Sequence, residues 1–130
     1  MRTIKITFND LSIKADLNDS ATADMLWSVM PIEGVVNRWG REIYFDLPIK
    51  SDLSKESRES MFIGEIAFWP EGSAFCIFWW QTPASNSGSD IRAISPVNPL
   101  GRLRIIPIPE LDAVNPGDTI VLERMESNDV

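Results

Sequence analysis

The sequence predicts a mainly β protein: a closed antiparallel barrel with one main helix, over about residues 20–30, packed at a barrel end. Three observations predict it. Apolar and polar residues alternate with a period of two along much of the chain, turn-forming residues punctuate these runs at short intervals, and a single segment carries a helical apolar stripe. The 130 residues are 44% hydrophobic, with five tryptophans and six phenylalanines. That is enough apolar surface for one compact domain spanning 1–130, and a closed barrel would leave no strand edge exposed.

Taken in order, Ile4, Ile6 and Phe8 alternate with Thr3, Lys5 and Thr7, Asn9-Asp10 makes a turn, and Leu11, Ile13, Ala15 and Leu17 alternate again. This is a hairpin. Ser20 then caps a helix whose stripe is Ala23, Leu26, Trp27 and Met30, with Asp24 in its first turn. Pro31 ends it, because the residue before a proline is pushed out of the helical region. Val35 to Trp39 and Glu42 to Leu47 read as strands meeting at Gly40, where a tight turn needs positive φ.

Gly64 to Trp69 and Ala74 to Trp80 form the next hairpin, joined by Pro70-Glu71-Gly72-Ser73. Its second arm is apolar on both faces, which predicts a central strand with core on one side and a further layer on the other. Ser51 to Ser60 reads as a solvated connection and Gln81 to Asp90 as a long polar loop. Asn98 to Ile106 and Asp118 to Arg124 complete the strands, separated by a proline-rich link and by a type II turn at Asn115-Pro116-Gly117. Seven or eight strands are expected, and Glu126 to Val130 should fray.

The residue types absent are as informative. Without histidine, Ser-His-Asp and Cys-His catalysis and His-ligated zinc are closed off; no metal site and no cofactor are expected. The lone Cys76, inside Ala74-Phe75-Cys76-Ile77-Phe78, reads as a packing group rather than a nucleophile. One cysteine, a leader without an apolar core and no apolar run near ~20 residues together predict a cytoplasmic chain. A net charge of −7 argues against nucleic acid and membrane partners.

Four segments carry a resemblance: Val36-Asn37-Arg38-Trp39-Gly40-Arg41-Glu42-Ile43-Tyr44-Phe45, Gly64-Glu65-Ile66-Ala67-Phe68-Trp69-Pro70-Glu71-Gly72, Cys76-Ile77-Phe78 through Thr82-Pro83-Ala84-Ser85, and Pro96-Val97-Asn98-Pro99-Leu100-Gly101. Together they resemble the cyclophilin-like family of small prokaryotic proteins, over nearly the whole chain. The resemblance implies an antiparallel barrel with a helix at its end and brings no established activity. True cyclophilins carry prolyl isomerase chemistry on a phenylalanine-histidine-arginine segment and a glutamine before paired glycines; neither motif occurs here.

The candidate ligand-binding residues are Trp39, Arg41, Glu42, Tyr44, Trp69, Phe78, Thr82 and Asn98. Trp39 and Trp69 each adjoin a turn, a place where an indole is part buried and part available. Glu42 and Tyr44 share a strand face by the period of two, with Arg41 beside them. Glu42 with Asp46 is also a carboxylate pair of the kind that serves acid and base chemistry or holds magnesium, though 19 acidic residues make such pairs common by chance.

Three functions fit. One is a noncatalytic binding module taking a small molecule or a proline-containing peptide at the barrel rim. Another is a prolyl isomerase with an arginine-only site at Arg38 or Arg41, since rotation about the amide needs no proton transfer. The third is an interaction subunit of a larger assembly or homo-oligomer, whose exposed tryptophans bury against a partner.

Overall fold

In the computed structural model, residues 2–125 are described, so the tail at 126–130 lies outside them. Alternation builds β1 (Thr3–Phe8) and β2 (Leu11–Leu17) into the expected hairpin, with Ile6 opposite Ile13. The helix α1 (Ala21–Val29) begins where Ser20 Oγ accepts the Ala23 N–H, and it stops at Met30, whose backbone is extended before Pro31. The strands β3 (Ile32–Val35), β4 (Asn37–Arg38), β5 (Glu42–Asp46), β6 (Arg58–Met61), β7 (Glu65–Trp69), β8 (Ala74–Phe78), β9 (Ile91–Leu103) and β10 (Thr119–Arg124) follow, with α2 (Ile108–Asp112) between the last two.

All the ladders are antiparallel, and the main sheet runs β3-β10-β1-β2-β9-β7-β8-β5-β4, while β6 pairs only with β9. The expectation of a closed barrel is corrected here: no hydrogen-bonded ladder joins the end strands β3 and β4. The reason lies in the chain. Both ends belong to one stretch, Ile32 to Arg38, interrupted at Val36. The Val36 N–H donates to Asp118 O at 2.8 Å and its carbonyl accepts the Gly117 N–H at 2.9 Å. The stretch therefore pairs first with β10 and then with β5, and successive pieces of one strand do not lie side by side as a ladder.

Four further expectations are corrected. The described residues hold ten strands rather than seven or eight. Arg58–Met61, read as part of a solvated connection, is a strand, and Ile108–Asp112, read as a proline-rich link, is a short helix. The last long strand begins at Ile91 rather than Asn98, and so runs through two layers.

That long strand creates the feature on which the site depends. Inward residues of the main sheet, among them Ile4, Ile6, Ile43, Phe45, Ile66, Phe68, Phe75 and Ile77, join Ala23 and Leu26 of α1 and Met30 just beyond it in the principal core. On the opposite face of β7 and β8, Ala67, Cys76 and Phe78 pack beneath Met61, Ile91, Ala93 and Val97 in a second core. The unbroken apolar run of β8 is thus explained by burial on both faces.

Candidate functional site

A cleft of about 100 Å³ opens between the outer face of the main sheet and the β6–β9 layer, lined by Trp39, Glu42, Tyr44, Trp69, Ala93, Ile94 and Val97. Glu42 and Tyr44 reach it because they alternate on one face of β5, opposite Phe78 and Cys76 of β8, while Ile43 and Phe45 enter the principal core. Trp39 is brought there by a two-residue turn. Its N–H donates to Glu42 O at 2.9 Å, Glu42 N–H donates back at 3.2 Å, and Gly40 between them has φ +62°. A Cβ on Gly40 would also lie 2.9 Å from Thr82 Cα, so the turn packs tightly on the following loop.

Trp69 ends β7, and its indole N–H donates to Ser95 Oγ at 2.7 Å, which holds the ring between the layers. In the adjoining turn the positive φ falls on Ser73, at 49°, not on Gly72. Gly72 has a different duty: a Cβ there would lie 2.2 Å from Trp69 Cζ3, so the ring uses the space a side chain would fill. Tyr44 and Trp69 meet edge to face, with centroids 6.2 Å apart and planes at 84°.

The polar group of the cleft is Glu42, only 6% exposed. Burial pushes its carboxyl up to about 7, an effect slightly offset by the Cys76 thiol beside it. The thiol is itself raised well above its usual range, first by burial and then by the neighbouring Glu42, so it stays protonated. It is a packing group rather than a thiolate nucleophile. No arginine or lysine among the described residues forms an ion pair with Glu42.

Of the eight residues singled out by sequence, Trp39, Glu42, Tyr44 and Trp69 line this one cleft. The other four do not. Arg41 reaches Asp112, with Nε 3.1 Å from Oδ1. Phe78 is wholly buried in the second core. Thr82 Oγ1 donates to Arg92 O and accepts the Ala84 N–H, bracing its own loop. Asn98, placed at the rim by sequence, is 1% exposed, and it clamps the 52–54 segment to α1 by accepting from Ser54 N and donating to Asp52 O and Thr22 Oγ1.

Arg38 is equally committed: Nη1 donates to the carbonyls of Asp112 and Val114 at 2.7 and 2.9 Å, and the guanidinium lies over Trp79. Neither arginine lines the cleft, so the arginine-only arrangement has no support in the geometry. Sequence reasoning missed Ala93, Ile94 and Val97, whose signal was the alternation of Ile91, Ala93 and Ser95 ahead of Pro96. Among the described residues, no helix is long and apolar enough to cross a membrane, and no three acidic, cysteine or histidine side chains cluster to hold a metal ion.

The sequence profile described as cyclophilin-like matches residues 2–123. The chain belongs to the cyclophilin-like family. The fold of this cyclophilin-like chain is similar to the solution structure of the hypothetical protein AF2241 from Archaeoglobus fulgidus, at 28% identity over 95% of each chain with a TM-score of 0.77. No curated protein matches the chain.

Proposed function

We propose that this cyclophilin-like domain is a noncatalytic binding module whose working site is the cleft between the main sheet and the β6–β9 layer. The observation that carries the reading is the convergence of three part-exposed aromatic side chains, Trp39, Tyr44 and Trp69, on one buried carboxyl group in a single concavity. Concave apolar walls with one placed polar group are what small-ligand sites are made of. The cleft suits a compact group such as a small ring or a branched alkyl head, carried by a small molecule or a peptide.

A fragment and proline-peptide library, screened through the indole N–H resonances of Trp39 and Trp69, tests the reading. Ligands of this site move both resonances together and raise the melting temperature with concentration, as any molecule that binds only the folded state must. A library that leaves both resonances in place overturns it.

A further inference from the structure

The arginines of this chain already show how its aromatic surfaces attract cations. Arg2 and Arg124 lie over Trp27, Arg38 over Trp79, and Arg58 and Arg102 over Phe62, all within 6 Å of the ring centroids. Among the described residues no such cation covers Trp39, Tyr44 or Trp69. Those three rings surround the carboxyl of Glu42, which has no counter-ion, in a chain of net charge −7.

We infer that the cleft receives an alkylated ammonium group, the methylated cationic head of a ligand, with Glu42 as its counter-charge and Trp39, Tyr44 and Trp69 as its walls. This assignment rests on the binding reading above. The electron-rich faces of aromatic rings attract a cation, and the attraction strengthens where water is excluded. Edge-to-face packing of Tyr44 on Trp69 sets two walls nearly at right angles, which suits a compact rounded head rather than a flat ring. A primary ammonium is strongly hydrated and carries three N–H donors, whereas the side chains lining this cleft offer it only two accepting groups, one carboxyl and one phenol. Methyl groups on the nitrogen remove those donors and keep the charge. An anion would meet the Glu42 charge, and a neutral apolar group would leave that carboxyl dehydrated without a partner.

The charged groups on the neighbouring strands do not compete for the role. Arg38 on β4 bonds Asp112 and Val114, Glu65 on β7 pairs with Arg58, and Arg92 on β9 pairs with Asp90 and Glu59. Cys76 on β8 supplies only a neutral thiol.

The test is a titration of the full chain, followed by tryptophan fluorescence and by the indole resonances, with choline and with its neutral carbon isostere, in which a tert-butyl group replaces the trimethylammonium. Well above the Glu42 midpoint of about 7, choline should bind about tenfold tighter than the isostere, and its affinity should fall as the pH drops below that midpoint. Glu42→Gln should remove the preference while the isostere still binds, and Tyr44→Leu should weaken choline more than the isostere. A trimethyllysine peptide run beside free choline separates a chain-borne head from a free one, and tighter binding of either supports the assignment. If the isostere binds as well as choline, the ammonium assignment falls while the binding reading stands. If neither probe nor any library fragment moves the resonances, both fall.

Discussion

Glu42 and Glu65 flank Phe78 from opposite sides, each registered against it across a ladder and on the same face of the sheet. Both are nearly sealed, at 6% and 4% exposure, yet their surroundings differ in kind. Glu65 accepts from Arg58 Nη1 at 2.8 Å and from the Phe62 N–H at 2.9 Å, and it forms a second bond to Arg58 Nη2. Glu42 has no ion-pair partner among the described residues and has the neutral thiol of Cys76 beside it. One carboxylate has its charge balanced within the fold; the other presents its charge to a cleft.

The first prediction follows from that contrast. Arg58→Leu leaves the Glu65 carboxylate buried without a counter-charge and should cost about 3–5 kcal/mol. Glu65→Gln leaves behind only a part-exposed guanidinium and should cost clearly less. Urea unfolding of both variants checks the order, and equal losses would mean that Glu65 is not sealed from water as its 4% exposure indicates.

The second concerns pH. The folded-state value for Glu42 lies at about 7 against an ordinary 4.5, so between these the folded chain binds more proton than the unfolded one. Stability from this group is therefore full below 4.5 and lost as pH rises through about 7, by on the order of 3 kcal/mol at ~1.4 kcal/mol per pH unit. Asp16, lowered chiefly by the Arg104 hydrogen bond, acts with the opposite sign, but its effect falls below its ordinary 3.8 and so outside this range. The stability difference between wild type and Glu42→Gln, taken from unfolding curves across this range, isolates Glu42. A difference that does not change with pH would contradict its burial as an acid.

How much of this was legible in sequence depended on whether a residue's role was local. The β1–β2 and β7–β8 hairpins and the Ser20 cap are set by neighbouring residues, so alternation and turn chemistry located them. Trp39, Glu42, Tyr44 and Trp69 were legible for the same reason, being fixed by two turns and one strand period. By contrast, β6 has only Met61 buried, with Arg58 half-buried against Glu65, and such a strand has no apolar alternation to read. Pro107 and Pro109 disguised α2, although a proline in the first helical turn loses no needed N–H. The open path of the sheet and the crossing of β9 between layers arise from pairings distant in sequence, which periodicity does not encode. Asn98 shows the converse error: a polar residue near a strand end looked like a rim group because its three partners lie 44 or more residues away.

A third prediction tests what the displaced arginine candidates do. Asp112 accepts from Trp79 Nε1 at 2.8 Å through Oδ1 and from Arg41 Nη2 at 3.1 Å through Oδ2, so it fastens the Gly40 turn to α2. Asp112→Ala leaves the indole N–H of fully buried Trp79 without a partner and should cost about 1–3 kcal/mol. Asp112→Asn keeps an acceptor for the indole and should recover most of that loss. Thermal melts of the two variants decide between a latch made by the indole hydrogen bond and one made by charge; an Asn variant as weak as the Ala variant would favour charge.

The last prediction links backbone packing to the cleft. Gly72 has ordinary negative φ, so alanine meets no backbone strain there, yet its Cβ would lie 2.2 and 2.3 Å from Trp69 Cζ3 and Cε3. The ring, not the turn, has to move. Since the indole N–H is tied to Ser95 Oγ and Ser95 Oγ in turn to Glu71 Oε2, displacement of the ring strains or breaks a chain of bonds that spans the two layers. Gly72→Ala should therefore cost about 1–3 kcal/mol in overpacking, shift the Trp69 indole resonance, and weaken any ligand of the cleft more than it weakens the fold. Ser95→Ala separates the two causes, because it removes the tether without crowding the ring and should cost only about 1 kcal/mol. If Gly72→Ala leaves both the Trp69 resonance and ligand affinity unchanged, the wall of the cleft is not set by this close approach, and the role given to Gly72 is wrong.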